Sequence, residues 1–308
     1  MTSEPVSTTD IDEAIHLWRT RGWVLMDGLV PTADIDDAAE DLWHMFPTPE
    51  DFHSGDPEAM ARFEDLSTDV VQVPKNDLSD GRAIRARQFL GHRMMPYSGS
   101  GKLNRMTVHP NVVDFAKRAM GDDDLRIYQA RVWGKYTGVT NYEQPFHMDG
   151  NHNVVPDRME MGWWNLEGFL YLSDVDEGVA PTQVYGTGPM PDADAGVPAA
   201  GVRGSYLAYR PDVWHRGVDL TREGGSRFIM NISFKHAGHD WIGYDNMQPR
   251  AITALWCKFA ASCTPEELAL FGAPLPGHDY WTPELVDALE ERYIGINATP
   301  WRDALTPR

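Results

Sequence analysis

The chain has 308 residues, 42% of them hydrophobic, which is enough to bury a substantial core in one elaborated β domain or in about two smaller domains. Its formal net charge of -19 excludes nucleic acid and anionic membranes as natural partners, because the average surface repels polyphosphates. No signal-peptide pattern and no apolar run of about 18 residues occurs, so we expect a cytoplasmic protein that does not enter membranes.

The first 120 residues combine helical patterns with loops. Apolar spacing predicts a helix over 10–21, a short strand over 22–28 and a second helix over 31–46. The stretch 47–103 mixes proline, glycine and charged residues without a long periodic segment. We therefore expect loops and short helices there, packed on another part of the fold.

From residue 125 onwards the sequence changes to short β-rich runs with turn residues between them. This spacing predicts a sandwich or a jelly roll rather than alternating βα units. The predicted strands cover 125–135, 145–149, 168–173, 182–185, 205–209 and 227–235. We divide the single domain into a mixed helical part (1–120), a jelly-roll core (121–238) and a helical extension (239–308).

Two helix openings are predicted in the C-terminal extension. Thr264 and Thr282 are each followed directly by a proline, which is typical of an N-cap with proline at the first helical position. Cys257 and Cys263 have neither a CxxC partner nor zinc-site spacing, so we interpret them as reduced, structural thiols. The extension is longer than a minimal jelly roll requires, and we expect it to form a lid or a homo-oligomer contact.

Three candidate metal ligands lie in the predicted core. His147 and Asp149 are two residues apart, and side chains with that spacing on a strand point to the same face. His215 follows 66 residues after Asp149. Two imidazoles and one carboxylate on one face of an iron ion leave three coordination positions open. A keto acid that chelates the iron fills two of them, and dioxygen needs the third.

Arg227 begins an alternating strand 12 residues after His215. A guanidinium is planar and permanently charged, so it can bind the distal carboxylate of 2-oxoglutarate through two parallel hydrogen bonds, that is, bidentately. A lysine ammonium binds a carboxylate less well. The alternation puts Arg227, Ile229, Asn231 and Ser233 on one face, which we predict to be the lumen of the fold.

These histidines also have simpler interpretations. A His-x-Asp pair alone is more often a surface ion pair, and only the combination with His215 and Arg227 favours a metal site. The rival histidines are expected on loops or on the surface, because they lie beyond a turn or after the last predicted strand; they are His152, His236 and His239.

The strand before the first ligand pair has three polar or aromatic residues on one face: Gln129, Trp133 and Lys135. These side chains either line the co-substrate pocket, or Trp133 is ordinary packing and Lys135 extends its amine to solvent along an apolar surface. The sequence favours neither interpretation.

In their order along the chain, several segments resemble the phytanoyl-CoA dioxygenase family of iron(II) and 2-oxoglutarate oxygenases. The likeness covers about residues 22–236 and consists of the opening strand and helix, the Phe146–Asp149 ligand pair, and the segment from Gly204 through Trp214-His215-Arg216-Gly217 to Arg227. The acidic turn at 173–178 and the segment 182–187 also resemble it. The chain departs from the family where Tyr185-Gly186-Thr187-Gly188 replaces a Pro-Gly-Ser-His turn.

The resemblance implies a mainly β fold, a double-stranded β-helix of the cupin jelly-roll type with flanking N- and C-terminal helices. It implies that His147, Asp149 and His215 hold Fe(II), that Arg227 anchors 2-oxoglutarate with Thr182 beside it, and that O2 is the oxidant. The expected reaction is hydroxylation of a small organic substrate with release of succinate and CO2. Asp149 argues against a halogenating relative, in which a small residue replaces the carboxylate ligand.

A second hypothesis from a different class is a cupin-like protein that binds a metal and a small acid without turnover. The same three ligands would suffice for it. Arg227 favours the oxygenase, because a simple cupin does not need a keto-acid anchor. The fold by itself does not separate the two.

The stretch 71–105 is basic in an otherwise acidic chain and contains only Asp77 and Asp80 as acids. One hypothesis is that it contacts an anionic substrate. The alternative is ion pairing with acidic residues elsewhere in the chain. The bases concerned are Lys75, Arg82, Arg85, Arg87, Arg93, Lys102 and Arg105.

Overall fold

The computed structural model describes residues 7–61, 88–99, 101–138, 142–149, 165–239, 242 and 254–305. These residues form two β-sheets with helices packed against the larger one. The strands, in chain order, are β1 (Ser7–Thr8), β2 (Trp23–Met26), β3 (Phe89–Met94), β4 (Leu125–Tyr136), β5 (Asn165–Tyr171), β6 (Gln183–Gly186), β7 (Val197–Pro198), β8 (Tyr206–Tyr209), β9 (Trp214–Arg216) and β10 (Ser226–His236).

The larger sheet has seven strands in the order β1-β2-β8-β5-β10-β4-β3, and the smaller has three in the order β7-β6-β9. β1 and β2 are parallel, and every other neighbouring pair is antiparallel. Strands far apart in sequence are therefore neighbours in space, as the predicted double-stranded β-helix requires. The fold class predicted from the sequence is confirmed.

Ten α-helices are described: α1 (Ile11–Arg21), α2 (Thr32–Ala39), α3 (Pro49–Ser54), α4 (Pro57–Ala61), α5 (Gly101–Arg105), α6 (Pro110–Met120), α7 (Ala254–Ala261), α8 (Pro265–Ala269), α9 (Pro283–Arg292) and α10 (Thr299–Leu305). In the part of the chain that the structure describes, no helix has the length and apolarity to cross a membrane.

Local sequence signals explain where several helices begin and end. The Asp10 side chain accepts hydrogen bonds from the first turn of α1, which ends at Gly22 in a left-handed conformation with φ of 95°. At α8, Thr264 and Glu267 form a reciprocal capping box, and Thr282 caps α9. Both helix openings predicted in the C-terminal extension are confirmed.

The core has two main layers. The outward face of β10 contributes Phe228, Met230, Ile232 and Phe234 to a cluster between the larger sheet and the helices. A second cluster, which includes Leu25 of β2 and Val184 of β6, joins the two sheets. The C-terminal extension docks on the first layer, where Trp256 of α7 stacks on Tyr97 with ring centroids 5.2 Å apart.

Three sequence predictions need correction. The segment 145–149 is not a strand, because its pairing is limited to one isolated bridge at His147 and Pro145 has no N–H to extend it. The helix predicted over 31–46 ends at Ala39 and continues as a 3-10 turn, Glu40–His44. The loop region 47–103 contains the edge strand β3. The other predicted strands are found with bounds shifted by at most three residues.

Candidate metal centre

The three predicted ligands lie together although they come from two distant segments. His147 and His215 form an isolated antiparallel bridge, in which each backbone N–H donates to the other residue's carbonyl at 3.0 Å. Their imidazole rings are 4.5 Å apart between centroids. Asp149 follows two residues after His147, and its carboxylate lies 3.9 Å from His147 Nε2 and 3.5 Å from His215 Nε2.

The hydrogen bonds of the two imidazoles prepare them to bind a metal. His147 Nδ1 lies 3.0 Å from the carbonyl oxygen of Pro145, and His215 Nδ1 lies 3.1 Å from that of Val213. A carbonyl can only accept, so Nδ1 carries the hydrogen in both rings, and each Nε2 keeps its lone pair for a metal. One donor atom from each of His147, Asp149 and His215 lies within 4.8 Å of the others.

Burial supports the same protonation state. His215 is 5% exposed, and desolvation lowers its pKa, with the Asp149 carboxylate opposing that shift. A neutral imidazole is the metal-binding form. Tyr209 donates from its hydroxyl to Asp149 Oδ2 at 2.9 Å. Burial and the nearby carboxylate raise the pKa of Tyr209 well above its ordinary value, so the phenol stays a donor that orients the carboxylate.

A cavity of about 410 Å³ contains this cluster. Inward-facing residues of β4 and β10 form much of its wall, and the wall includes all eight side chains predicted for the site: Gln129, Trp133, Lys135, His147, Asp149, Thr182, His215 and Arg227. In the described part of the chain, the His147, Asp149 and His215 set is the one group of three or more potential metal ligands with donor atoms this close.

Arg227 lines the cavity and is 6% exposed. Its Nη1 donates to the Ala180 carbonyl, whereas its buried Nε has no hydrogen-bond partner among the residues described. Burial lowers the pKa of Arg227, and the groups that oppose this shift are two tyrosines rather than a carboxylate. A buried guanidinium with an unused donor is suited to an incoming anion.

Lys135 is the cross-strand partner of Arg227 and lines the same cavity. Its Nζ donates to the Val218 carbonyl and is 3.5 Å from the Tyr142 carbonyl. Because Lys135 is only 1% exposed, the interpretation that its amine reaches solvent is wrong. Burial and the neighbouring Arg227 lower the pKa of Lys135 to about 7.

Several residues of the cavity were not assigned a role from the sequence. Arg131 lies between Gln129 and Trp133 on the inward face of β4, and Glu167 is the one acidic residue of β5. Both are buried. The period-two alternation of β4 could have indicated Arg131. An acidic residue inside an apolar strand is the signal that could have indicated Glu167, because a carboxylate is almost never fully buried unless other groups are paired with it.

The rival histidines lie elsewhere. His236 pairs with Asp122 through Nδ1 and Oδ2 at 2.7 Å and packs against His239 at 4.8 Å between ring centroids, and neither histidine lines the cavity. His152 lies outside the described residues.

In the described part of the basic stretch, three of the basic side chains contact other residues of the chain. Lys102 pairs with Asp37, Arg105 pairs with Glu267, and Arg93 lies over the Phe46 ring at 5.3 Å. The two ion pairs agree with the ion-pairing alternative, and the contact of Arg93 is a cation–π contact. Lys75, Arg82, Arg85 and Arg87 lie outside the residues described, and their contact with an anionic substrate stays a prediction.

The chain matches no protein-family model, and no curated protein resembles it significantly in sequence. Its fold is similar to those of many solved structures, of which three are described here. The non-heme alpha-ketoglutarate-dependent epimerase SnoN from nogalamycin biosynthesis is 12% identical, with a TM-score of 0.51 over 74% of this chain and 83% of that one. The carbocyclase SnoK of the same biosynthesis is 14% identical, with a TM-score of 0.51 over 73% and 83%. AviO1 from Streptomyces viridochromogenes Tue57 is 14% identical, with a TM-score of 0.51 over 75% and 97%. At these identities the likeness establishes the fold.

Proposed function

We propose that this chain is an iron(II)- and 2-oxoglutarate-dependent oxygenase. One observation carries the proposal: a cluster of two imidazoles and a carboxylate shares a cavity with the buried Arg227, whose Nε has no acceptor among the described residues. The cluster fits a metal that keeps open coordination positions, and the guanidinium fits the far carboxylate of a keto acid. Neither feature alone would distinguish an oxygenase from a metal-binding protein.

The donor set fits iron(II). His147, Asp149 and His215 would hold the ion from one side, because their donor atoms converge and both Nδ1 atoms are already engaged. With 2-oxoglutarate and O2, bound iron would supply the oxidising chemistry, and the keto acid would leave as succinate and CO2. The chain itself holds Asp149 through Tyr209 and contributes the buried side chains of Arg227 and Lys135 to the same cavity.

Arg227, Lys135 and Thr182 are the proposed co-substrate contacts, with Gln129 and Trp133 on the same wall. Arg227 and Lys135 are cross-strand neighbours, so Arg227, together with Lys135 when it is protonated, would bind one end of a dianion. Thr182 is 7% exposed and offers a hydroxyl from the segment before β6. These five assignments rest on placement in one cavity and on donor chemistry.

The names of the structural neighbours support the class of enzyme and leave the reaction open. SnoN is named an alpha-ketoglutarate-dependent epimerase and SnoK a carbocyclase. We propose hydroxylation of a small organic substrate for this chain, as its resemblance to the phytanoyl-CoA dioxygenase family implies. Membership of that family is part of the proposal.

The test begins without oxygen. Iron(II) and then 2-oxoglutarate are added to the metal-free protein, and the visible absorption is recorded. We expect a charge-transfer band that forms with 2-oxoglutarate and not with succinate, which lacks the keto group. Oxygen is then admitted and succinate is measured. A protein that forms the band and never releases succinate, even with substrate candidates, is the passive binder, and absence of the band contradicts the proposal.

A further inference from the structure

A second polar region lies along the same cavity, away from the cation pair. Asn231 follows Arg227 by four residues on β10, a distance of about 13 Å along a strand. It pairs with Arg131 of β4 on one side and with Phe169 of β5 on the other. This region is therefore available to a molecule other than the keto acid.

The orientation of the Asn231 amide is fixed by its neighbours. Nδ2 donates to the Gly168 carbonyl at 3.1 Å and to Ser233 Oγ at 3.0 Å. Because a backbone carbonyl can only accept, the nitrogen must be on that side and Oδ1 on the other. Oδ1 is buried without a partner in the described part of the chain, and the residue is 2% exposed and lines the cavity. Because this unused acceptor belongs to a residue of the cavity wall, where a bound molecule can reach it, it points to a ligand.

Glu167 lies beside this amide and is held by donors. The hydroxyl of Ser233 accepts from Asn231, so its hydrogen points to Glu167 Oε2 at 2.6 Å. The Tyr128 hydroxyl and the Asn165 amide both donate to Oε1. Burial raises the pKa of Glu167 to about 7, and the Ser233 hydroxyl opposes that shift. In these hydrogen bonds both carboxylate oxygens of Glu167 act as acceptors.

Asn231 Oδ1 and the Glu167 carboxylate are neighbouring acceptors, and they favour a ligand group that donates hydrogen bonds. An apolar group placed there would leave Asn231 Oδ1 unsatisfied, and a carboxylate has no hydrogen to donate to Asn231 Oδ1 or to Glu167. A single hydroxyl can donate only one hydrogen bond, whereas an ammonium group or two adjacent hydroxyls can donate at least two. Gln129 and Arg131 line the same part of the cavity from β4, and the buried Arg131 guanidinium, the cross-strand neighbour of Asn231, balances the charge of Glu167 there.

We propose that Asn231 and Glu167 form the substrate-recognition site of the cavity, and that the primary substrate is a small polar molecule bound there through at least two N–H or O–H donors, from an ammonium group or from adjacent hydroxyls. This inference rests on the proposed function, because it names the substrate class of the same cavity. It excludes an apolar acyl chain as the part of the substrate that lies against Asn231.

Three ring compounds of matched size test the chemistry: cyclohexylamine, trans-1,2-cyclohexanediol and cyclohexanecarboxylate. Each is titrated calorimetrically into the metal-free protein with excess 2-oxoglutarate present, so that Arg227 and Lys135 are occupied, and into the anaerobic iron and 2-oxoglutarate complex while the visible band is followed. We expect the amine or the diol to bind at least about tenfold more tightly than the carboxylate. Preference for the amine identifies an ammonium group, and preference for the diol identifies hydroxyls. Tightest binding of the carboxylate, or equal binding of all three, overturns the inference.

Two substitutions locate the site. Asn231→Leu and Glu167→Gln are each expected to weaken binding of the preferred probe by at least about tenfold, because the remaining acceptor cannot satisfy the donors alone. Asn104→Leu is the matched control. Its Nδ2 also donates to a glycine carbonyl, Gly99 at 2.7 Å, and its Oδ1 is also without a described partner, but it lies on α5 and not on the cavity wall. The control should bind the probe like wild type.

Thermal unfolding of each variant reports whether it folds. Glu167→Gln preserves side-chain size, so it remains a test of the site if Asn231→Leu does not fold. Wild-type affinity in both Asn231→Leu and Glu167→Gln overturns the inference. Failure of the proposed function has a different signature, namely that wild type lacks the band with 2-oxoglutarate. Calorimetry on the metal-free protein tests Asn231 and Glu167 in either case.

Discussion

His147 and His215 are tied to each other by two backbone hydrogen bonds of 3.0 Å, one in each direction. Their imidazoles are thereby placed side by side by the main chain before any metal arrives. A site whose ligands are held by the fold loses little conformational entropy on binding the metal. The same bridge explains how one ligand can come from an irregular segment and still keep its position.

The ligand assignment predicts the effect of removing each donor. Substitution of His147, Asp149 or His215 by alanine should abolish turnover and lower metal affinity by at least about 100-fold, because two remaining donors cannot fix a facial site. Metal content after dialysis and succinate release on the same preparations measure both effects. His236→Ala is the control, since His236 lies outside the cavity and pairs with Asp122. Full activity in any ligand variant would contradict the assignment.

Tyr209→Phe tests the support behind the metal ligands. The phenol donates to Asp149 Oδ2, and the substitution removes this hydrogen bond while leaving the ring. Loss of such a partner typically costs about 10- to 100-fold in metal affinity. Tyr171→Phe is a matched control, because its buried hydroxyl donates to the Ala199 carbonyl instead. Equal metal affinity in the two variants would show that Tyr209 does not orient the carboxylate.

Gly168→Ala should destabilise the fold. A Cβ at Gly168 would lie 1.8 Å from the hydroxyl oxygen of Tyr206, which donates to the Ile232 carbonyl. Displacing that buried ring and its hydrogen bond should lower the free energy of unfolding by roughly 2 to 4 kcal/mol. Denaturant unfolding measures the loss. Gly101→Ala on α5, where a Cβ meets nothing within 4 Å, should be neutral or slightly stabilising.

The lumen face of β10 was predictable from sequence because a strand alternates with period two. The apolar side chains Phe228 and Met230 pack outward, and Arg227 and Asn231 face the cavity, as predicted. All eight predicted site residues line one cavity. Four of them do so because β4 lies next to β10, and the others come from the segment 142–149, from β9 and from the residue before β6. Their roles in binding stay predictions.

Other features could not be predicted, because they depend on contacts between distant segments. Glu167 is held by Tyr128 and Ser233, which are 39 and 66 residues away in sequence. No local pattern encodes such a network. The error at 145–149 has a related cause, since the backbone of His147 pairs with His215 at a single bridge rather than along a strand. Two ligands two residues apart can share a side without a regular strand.

Lys135 should make co-substrate binding pH-dependent. Its pKa is about 7, lowered by burial and then by Arg227, while Asp219 and Glu143 act in the opposite direction. A bound dianion raises this pKa, so binding above pH 7 takes up a proton. The affinity for 2-oxoglutarate should therefore be flat below about pH 7 and fall as pH rises, by at most about tenfold per pH unit.

Calorimetric titrations of 2-oxoglutarate between about pH 6 and 9, in buffers of different ionisation enthalpy, measure both the affinity and the proton uptake. In Lys135→Met the pH dependence should disappear and the affinity at the acidic end should be lower than in wild type. A wild-type profile that is flat across this range would show that Lys135 does not contact the anion.

Arg227 separates the oxygenase from a passive metal binder. Its guanidinium is buried, with one donor used by Ala180 and Nε without a partner in the part of the chain described. Removing one member of a buried, charge-assisted pair costs about 2 to 5 kcal/mol, which is roughly 30-fold to several-thousand-fold in 2-oxoglutarate affinity.

Arg227→Leu should show this loss and keep near-normal iron content, because Arg227 is not among the metal ligands. Arg227→Lys should recover only part of the affinity, since an ammonium cannot form the bidentate contact with the carboxylate. Iron stoichiometry and the 2-oxoglutarate titration are measured on the same preparations. An Arg227→Leu protein that titrates like wild type would remove the main reason for assigning a keto-acid co-substrate.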